Sequence, residues 1–485
     1  MAARLATTPR VNMNPGQTHG RRRPDRLRQW RRVGIITGLI VSVVAACALI
    51  LELLGRRAMT SALQHAREAG IALTTHDLQR CRPTVPEESN MALRLDAAAE
   101  SIGSWRSCGG EGPEPEASRL ARLTRGPFRE LRLTLGSEDL LEIRAFVADE
   151  NGSLSAIHDA ARLETGVYPV SWGDTLWDTG FPFLERHERV AGGLRIACLD
   201  ALEEGNSALA SQWIGDALRI NVCLAHEPFG VPIVRSLCLD QEAIYVLELA
   251  LASCSFNDPE LAYLQKSVRA VPSRYDTRRL LESICSWTYE AADAFVSGRQ
   301  VASGPTALED PPGWLWAWSY RLSPGRREFE RAALLSRWTE DSQNWSASLG
   351  KVFRWCRARE EDPYPLGEDN VLGLAGGGIY WAMRMAMSTL IETVALSRAA
   401  DAALAAKRYR LTHGSWPQEL SDMVPEFLDA VPRDPFGEEP MRYRQDENGV
   451  RIWSVGADLT DDAGQVASEV DGTEPADVGF RLLER

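Results

Sequence analysis

The chain has 485 residues, 44% of them apolar, and a formal net charge of −13 at pH 7, which allows two or three domains with ordinary hydrophobic cores. The charge is unevenly placed: residues 1–32 hold nine arginines and one acid, a tail of +8, and the remainder sums to −21. So acidic a bulk argues against nucleic acid as a partner, and the nine cysteines contain no Cys-x-x-Cys pair, which removes the basic unit of zinc and thioredoxin-like sites.

The polar, Pro- and Arg-rich tail of residues 1–32 is expected to be disordered and to lie beside anionic lipid. After it comes VGIITGLIVSVVAACALILELL, Val33 to Leu54. Its first 19 residues, Val33 to Leu51, carry no charge and would rise roughly 28 Å as a helix, close to the hydrocarbon thickness of a bilayer. Arg21, Arg22, Arg23, Arg26, Arg28, Arg31 and Arg32 stand before it, and Glu52, Arg56 and Arg57 follow. This asymmetry predicts an amino terminus in the cytoplasm, a single pass through the inner membrane, and the bulk of the chain outside. A cleaved signal would turn polar after Ala45-Ala46-Cys47, whereas Ala48 to Leu51 stay apolar; lipidation of Cys47 in the lipobox-like Val44-Ala45-Ala46-Cys47 is the alternative to a plain anchor.

Residues 55–378 read as a helical extracytoplasmic domain. Arg56 to Glu68 continues the spanning helix as a stalk that stops at Gly70. The loop RCRPTVPEESN offers Ser89 or Asn90 as cap for a helix over Met91 to Ile102, and Ser137 is placed to cap Glu138 to Val147. Of the eight cysteines beyond the membrane, Cys81 and Cys108 form the candidate disulfide, and the rest fit buried thiols. A helical hairpin follows, Arg189 to Glu204, a Gly205-Asn206 turn, and Ser207 to Ala225, with Ala210, Ile214 and Ala217 where tetratricopeptide hairpins place their contacts. No second copy appears at a period of about 34 residues, so an irregular bundle is expected rather than a solenoid. Further helices are predicted at Val231–Ser253, Pro259–Val268, Asp276–Ser297, Arg326–Trp338 and Ser346–Arg359. The stretch Glu360 to Gly378 reads as a linker, with Gly373, Gly376, Gly377 and Gly378 as its hinge.

Residues 379–485 read as a long amphipathic helix, Ile379 to Leu411, leading into an α+β module. Two strands, Met441 to Arg444 and Val450 to Val455, are joined by the Asp446 to Gly449 turn. The ordered set Tyr409, Gly414, Trp416-Pro417, Leu420, Val424-Pro425, Val431-Pro432, Asp434-Pro435-Phe436-Gly437, Tyr443 and Ile452-Trp453-Ser454-Val455-Gly456-Ala457-Asp458 resembles the globular domain of the major pseudopilin of type II secretion systems. That resemblance implies a long helix packed on a small sheet, and a loop after the last strand that binds calcium. The implied ligands are Asp458, Asp477 and the carbonyl of Val455, with Asp461, Asp462 and Asp471 as possible substitutes; a hard cation wants six to eight oxygens, which an acidic, glycine-containing loop can supply. The chain departs from prepilins where Gly34 is followed by Ile35-Ile36-Thr37-Gly38-Leu39, without a Gly-Phe processing site or a following glutamate. The layout, including GIALTTHDL, RPTVPEESN and the triplet His226 to Pro228, is similar to large bacterial membrane-anchored proteins that end in this module, a resemblance that implies topology and fold but no activity. The expected role is a non-enzymatic scaffold or interaction protein of the cell envelope, accessory to secretion, with protein partners there.

Catalytic signals are thin, and no catalytic residue set is assigned. Asp178-Thr179-Gly180 reproduces the triplet of aspartic proteases in a single copy, which makes an envelope hydrolase the rival reading and a turn between helices the plain one. Trp314, Trp316, Trp318 and Tyr320 alternate and would share one face of a strand, for stacking on sugars, for the membrane interface, or as core. His226, before Glu227-Pro228, is expected to end a helix.

Overall fold

Helix α1 (Pro24–Glu68) runs unbroken for 45 residues. It starts inside the tail that was expected to be disordered. Pro24 suits a first helical turn, and residues appended to an already nucleated helix add at little cost. At the other end the Ile71 N–H bonds back to the Ala66 carbonyl at 3.0 Å while Gly70 takes a left-handed φ of 72°, a conformation glycine adopts without a Cβ penalty. The computed structural model describes residues 24–102, 135–173, 179–297, 324–361, 371–447, 449–465 and 477–483. Cys108, Asp178, Asp471 and the Trp314–Tyr320 group lie outside the described residues.

Most of the described chain is helical: α2 (Met91–Ser101), α3 (Ser137–Asp149), α4 (Asn151–Ala161), α5 (Phe183–Glu203), α6 (Ser207–Ile220), α7 (Gly230–Ser253), α8 (Asp258–Arg269), α9 (Thr277–Ser297), α10 (Pro324–Asp341), α11 (Leu349–Glu361) and α12 (Val371–His413). Several boundaries rest on side-chain caps, of which Asn90 was expected and Asn206 was expected only as part of a turn. Asn90 accepts from the Ala92 N–H at 3.1 Å, and Asn206 accepts from the Leu209 N–H at 3.1 Å just after Gly205 at φ 69°. Ser137 is instead the first helical residue of α3: Gly136 is the cap, and its N–H donates to Asp139 at 2.9 Å. The glycines expected to form a hinge lie within α12.

The carboxy-terminal sheet is antiparallel in the order β1 (Arg442–Asp446), β2 (Gly449–Ser454), β3 (Val478–Leu483). The third strand goes beyond the two expected. Val450 faces Leu482 and Ile452 faces Phe480 across β2 and β3, and all four are buried. Arg481 secures the edge strand to α7, its backbone N–H donating to Glu248 at 2.7 Å and its Nε at 3.2 Å.

Two hydrophobic cores hold these elements, and both draw on residues from either side of position 378. The first joins α2 to α8, the distal half of α12 from Leu396 to Ala406, and the sheet. The second joins Met59, Ala62 and Ala66 of α1 to α10, α11 and the near half of α12, and takes in Phe436 and Val455 of the terminal module. From Ala399 to Ala406 nearly every α12 side chain is buried. A helix apolar on all sides is one that other elements surround, and α12 is the axis of the fold.

α1 and α10 approach at two glycines. A Cβ on Gly55 would collide with the Gly325 carbonyl, and one on Gly325 with the backbone of Leu51 and Glu52. Past this contact both helices continue into the second core, so they run parallel. Before it, Ile35 to Leu51 are exposed along α1. Among the described residues α1 is the helix long and apolar enough to cross a membrane, and none of its most apolar 18-residue window is buried.

Candidate functional site

The terminal module places its motif residues around one buried carboxylate. Asp434, 1% exposed, accepts at Oδ1 from the Phe436 N–H at 2.8 Å, the Gly437 N–H at 3.3 Å and the Ser454 hydroxyl at 2.7 Å. Its Oδ2 accepts from the Val455 N–H at 2.9 Å, with Arg442 Nη1 at 3.5 Å. The Asp-Pro-Phe-Gly turn and the Trp-Ser-Val-Gly stretch are therefore two halves of one hydrogen-bonded joint. α11 presses on that joint from the helical side. Gly350 lies where a Cβ would sit 2.8 Å from the Phe436 carbonyl, and Arg354 Nη1 donates to the same oxygen at 3.3 Å.

From Val455 the chain enters an acidic loop coiled by four left-handed residues, Gly456, Leu459, Ala463 and Gly464, with φ of 68°, 63°, 60° and 79°. For Leu459 and Ala463 that conformation costs on the order of 1 kcal/mol each, a strain that the surrounding bonds must hold. Asp461 anchors it: Oδ1 accepts from the Trp453 indole N–H and the Ala463 N–H, both at 3.0 Å. The indole bond holds this carboxyl below the usual carboxylate range. Asp477, at the entry to β3 and 2% exposed, accepts from the Gly464 N–H at 2.8 Å through Oδ2. Its Oδ1 is buried with no hydrogen-bond partner among the described residues. Burial, and after it the charges of Asp461 and Asp462, push Asp477 up to about 6 against the backbone bonds from Gly464 and Asp462.

The three implied ligands are treated unequally. Asp477 converges on the loop with Asp461 and Asp462, whereas Asp458 is exposed and caps its own turn, accepting from the Thr460 N–H at 2.9 Å. Val455 is buried with its N–H committed to Asp434. Among the described residues no group of three or more His, Cys, Asp or Glu side chains is arranged to hold a metal ion. A cation here would rely on loop carbonyls as well as Asp477. The buried oxygen of Asp477 is one donor, and an oxygen donor of that kind would suit a hard ion such as calcium rather than zinc or copper.

Elsewhere the notable polar groups are bonded to one another. Glu227, fully buried, takes Arg82 at 2.6 and 2.8 Å and the Tyr168 N–H at 3.2 Å, so the Arg-Pro-Thr-Val loop and the His-Glu-Pro triplet are a single ion-paired unit. His226 ends the short Val222–Ala225 helix and its Nδ1 meets the Thr165 hydroxyl at 2.8 Å. A buried chain runs from the Tyr168 hydroxyl to His187 Nδ1 at 2.7 Å, from His187 Nε2 to Asn221 at 3.1 Å, from Asn221 to Asp240 at 2.8 Å, and from Tyr275 to Asp240 at 2.7 Å. Burial pulls His187 down to about 4, so it is a neutral link in this chain. Nothing in the sequence pattern singles out these partners, which lie 19 to 35 residues apart in the chain. Of the protease-like triplet, Thr179 is buried, its hydroxyl accepting from the Gly173 N–H at 3.2 Å, and Gly180 pairs with Ser171 in an isolated bridge. No protein family, curated protein or solved structure matches the chain.

Proposed function

We propose that the protein is a single-pass, amino-terminus-in scaffold or interaction protein of the cell envelope, anchored in the inner membrane and accessory to secretion. The observation that carries this reading is the division of labour along α1: its apolar half is bare, and the same helix without a break becomes part of a packed core. A rod of that kind suits a membrane anchor fused directly to a folded body. The three-stranded sheet behind a long helix, with its Asp434-centred joint, is what supports a pseudopilin-like reading of the terminal module, and the α5–α6 hairpin, where Ala210 and Ile214 are buried, supports a tetratricopeptide-like one. No described residue favours the hydrolase reading. A periplasm-active reporter fused after Arg485 is expected to be active only outside the cytoplasm. An inactive reporter there, with a cytoplasm-active one fused at the same point active instead, would overturn the orientation and the envelope role together. Capture from detergent extracts should retain envelope proteins.

Calcium at Asp477 is part of the proposal, and its pH dependence has a definite sign. The raised carboxyl contributes stability that is full below its ordinary value of 3.8 and is lost as pH rises through about 6. Calcium needs the ionised form, so its protection must grow across the same interval. Melting of the full chain with calcium against chelator is expected to differ more at about pH 8 than at about pH 5. In Asp477→Asn the difference should vanish, while Asp458→Ala should reduce it only if that exposed side chain swings in. Equal melting of the natural chain with and without calcium at both pH values would dispose of the site.

A further inference from the structure

The anchor reading implies that α1 alone meets lipid, but the glycine contact brings a second helix to the bilayer surface. Gly325 sits against Leu51, Glu52 and Gly55, at the end of the apolar run, where Leu51, Leu53 and Leu54 are still about half exposed. A hydrocarbon core of about 30 Å takes about 20 residues of the helix, counted from Val33, which sets the edge of the hydrocarbon near Glu52, beside Gly325. Four residues beyond Gly325, and so about 6 Å further along α10, stands Phe329. It is 53% exposed. The headgroup layer is itself roughly 5–7 Å deep on each side, so Phe329 falls within it. An exposed aromatic ring is costly in water and at home in that layer. At nearly the same height on α1, Arg57 is exposed, where its stem can lie along lipid and its guanidinium can reach a phosphate.

We propose that the first two turns of α10 lie in the outward-facing headgroup layer with Phe329 inserted among the lipids, so that the protein grips the bilayer with a parallel helix pair. This rests on the spanning reading of α1. The test uses the full chain in phospholipid vesicles, with a photoreactive benzophenone amino acid installed singly at position 44, 329 or 429. Position 44 is the mid-bilayer control, and position 429, where the Asp side chain is 91% exposed, is the water control. Lipid adducts are expected at 44 and 329 and not at 429. Adducts at 44 but not at 329 would overturn the proposal and leave the spanning helix intact. An adduct of 329 to this chain itself would also overturn it, by showing that protein covers the ring. Absence of lipid adducts at 44 would sink both readings at once.

Discussion

Asp434→Ala is expected to destabilise the protein by about 3–5 kcal/mol, the largest loss from any single side chain of the terminal module. The carboxylate accepts from the Phe436, Gly437 and Val455 N–H groups and the Ser454 hydroxyl, and alanine leaves these donors without it. Phe436 and Val455 are buried, so water cannot take over, and each abandoned donor carries a desolvation cost of about 1–3 kcal/mol. Asn at this position should recover only part of the loss, because its amide turns a donor toward one of the N–H groups. Phe436 and Val455 also belong to the second core, so the damage should spread to α11. Denaturant unfolding of the detergent-solubilised chain measures this directly, and a loss below about 1 kcal/mol would refute the role assigned to Asp434.

The second large effect is expected at the helix crossing. In Gly325→Leu the new side chain meets the backbone of Leu51 and Glu52 rather than a movable side chain, so α1 and α10 must separate. Overpacking of this kind typically costs about 1–3 kcal/mol, and here it acts on the elements that close the second core. The chain carries its own reporters. Cys285 and Cys356 lie fully buried in the second core, and Cys198, Cys223 and Cys254 are buried in the first. Burial also pushes Cys356 up to about 12 and Cys285 well above an ordinary thiol, so both resist alkylation while the core is closed. Gly325→Leu should accelerate labelling of Cys285 and Cys356 and leave the first-core thiols protected. Uniform protection would mean that the crossing tolerates a side chain. Gly55→Leu should reproduce the pattern, and the double variant should cost less than the two single changes added, since either one already opens the gap.

How much of this was legible beforehand depended on the range of the interaction concerned. The apolar run, the Asn90 cap and the Gly205-Asn206 turn are local signals, and α1, α2, α5 and α6 follow them. The end of α1 at Gly70 is of the same kind. The third strand was hidden because Val478 to Leu483 contains a glycine and an arginine, and its partner strand lies beyond a long acidic loop. Glycines in α12 mimicked a hinge, since propensity counts each residue alone and cannot see the tertiary packing that carries a long helix through a weak start. The site divided in the same way. The aspartates were visible as letters, and their inequality was not: Asp477 is buried by the folding of β3, while Asp458 stays in solvent. Asp434 and the Tyr168–His187–Asn221–Asp240 chain had no local signature, because what defines them is who meets whom across distant segments.

The absence of any break in α1 has a mechanical consequence. From Leu54 to Glu68 the rod climbs about 21 Å and is fastened to its surroundings over most of that length. On the proposed anchoring, a body mounted this way has no leash: it would neither tumble above the bilayer nor reach sideways, and every copy would present the same side at the same altitude. Turning the span about its own axis would swing the whole mass like a key in a lock, so a neighbour in the lipid that twists α1 would be felt at the sheet.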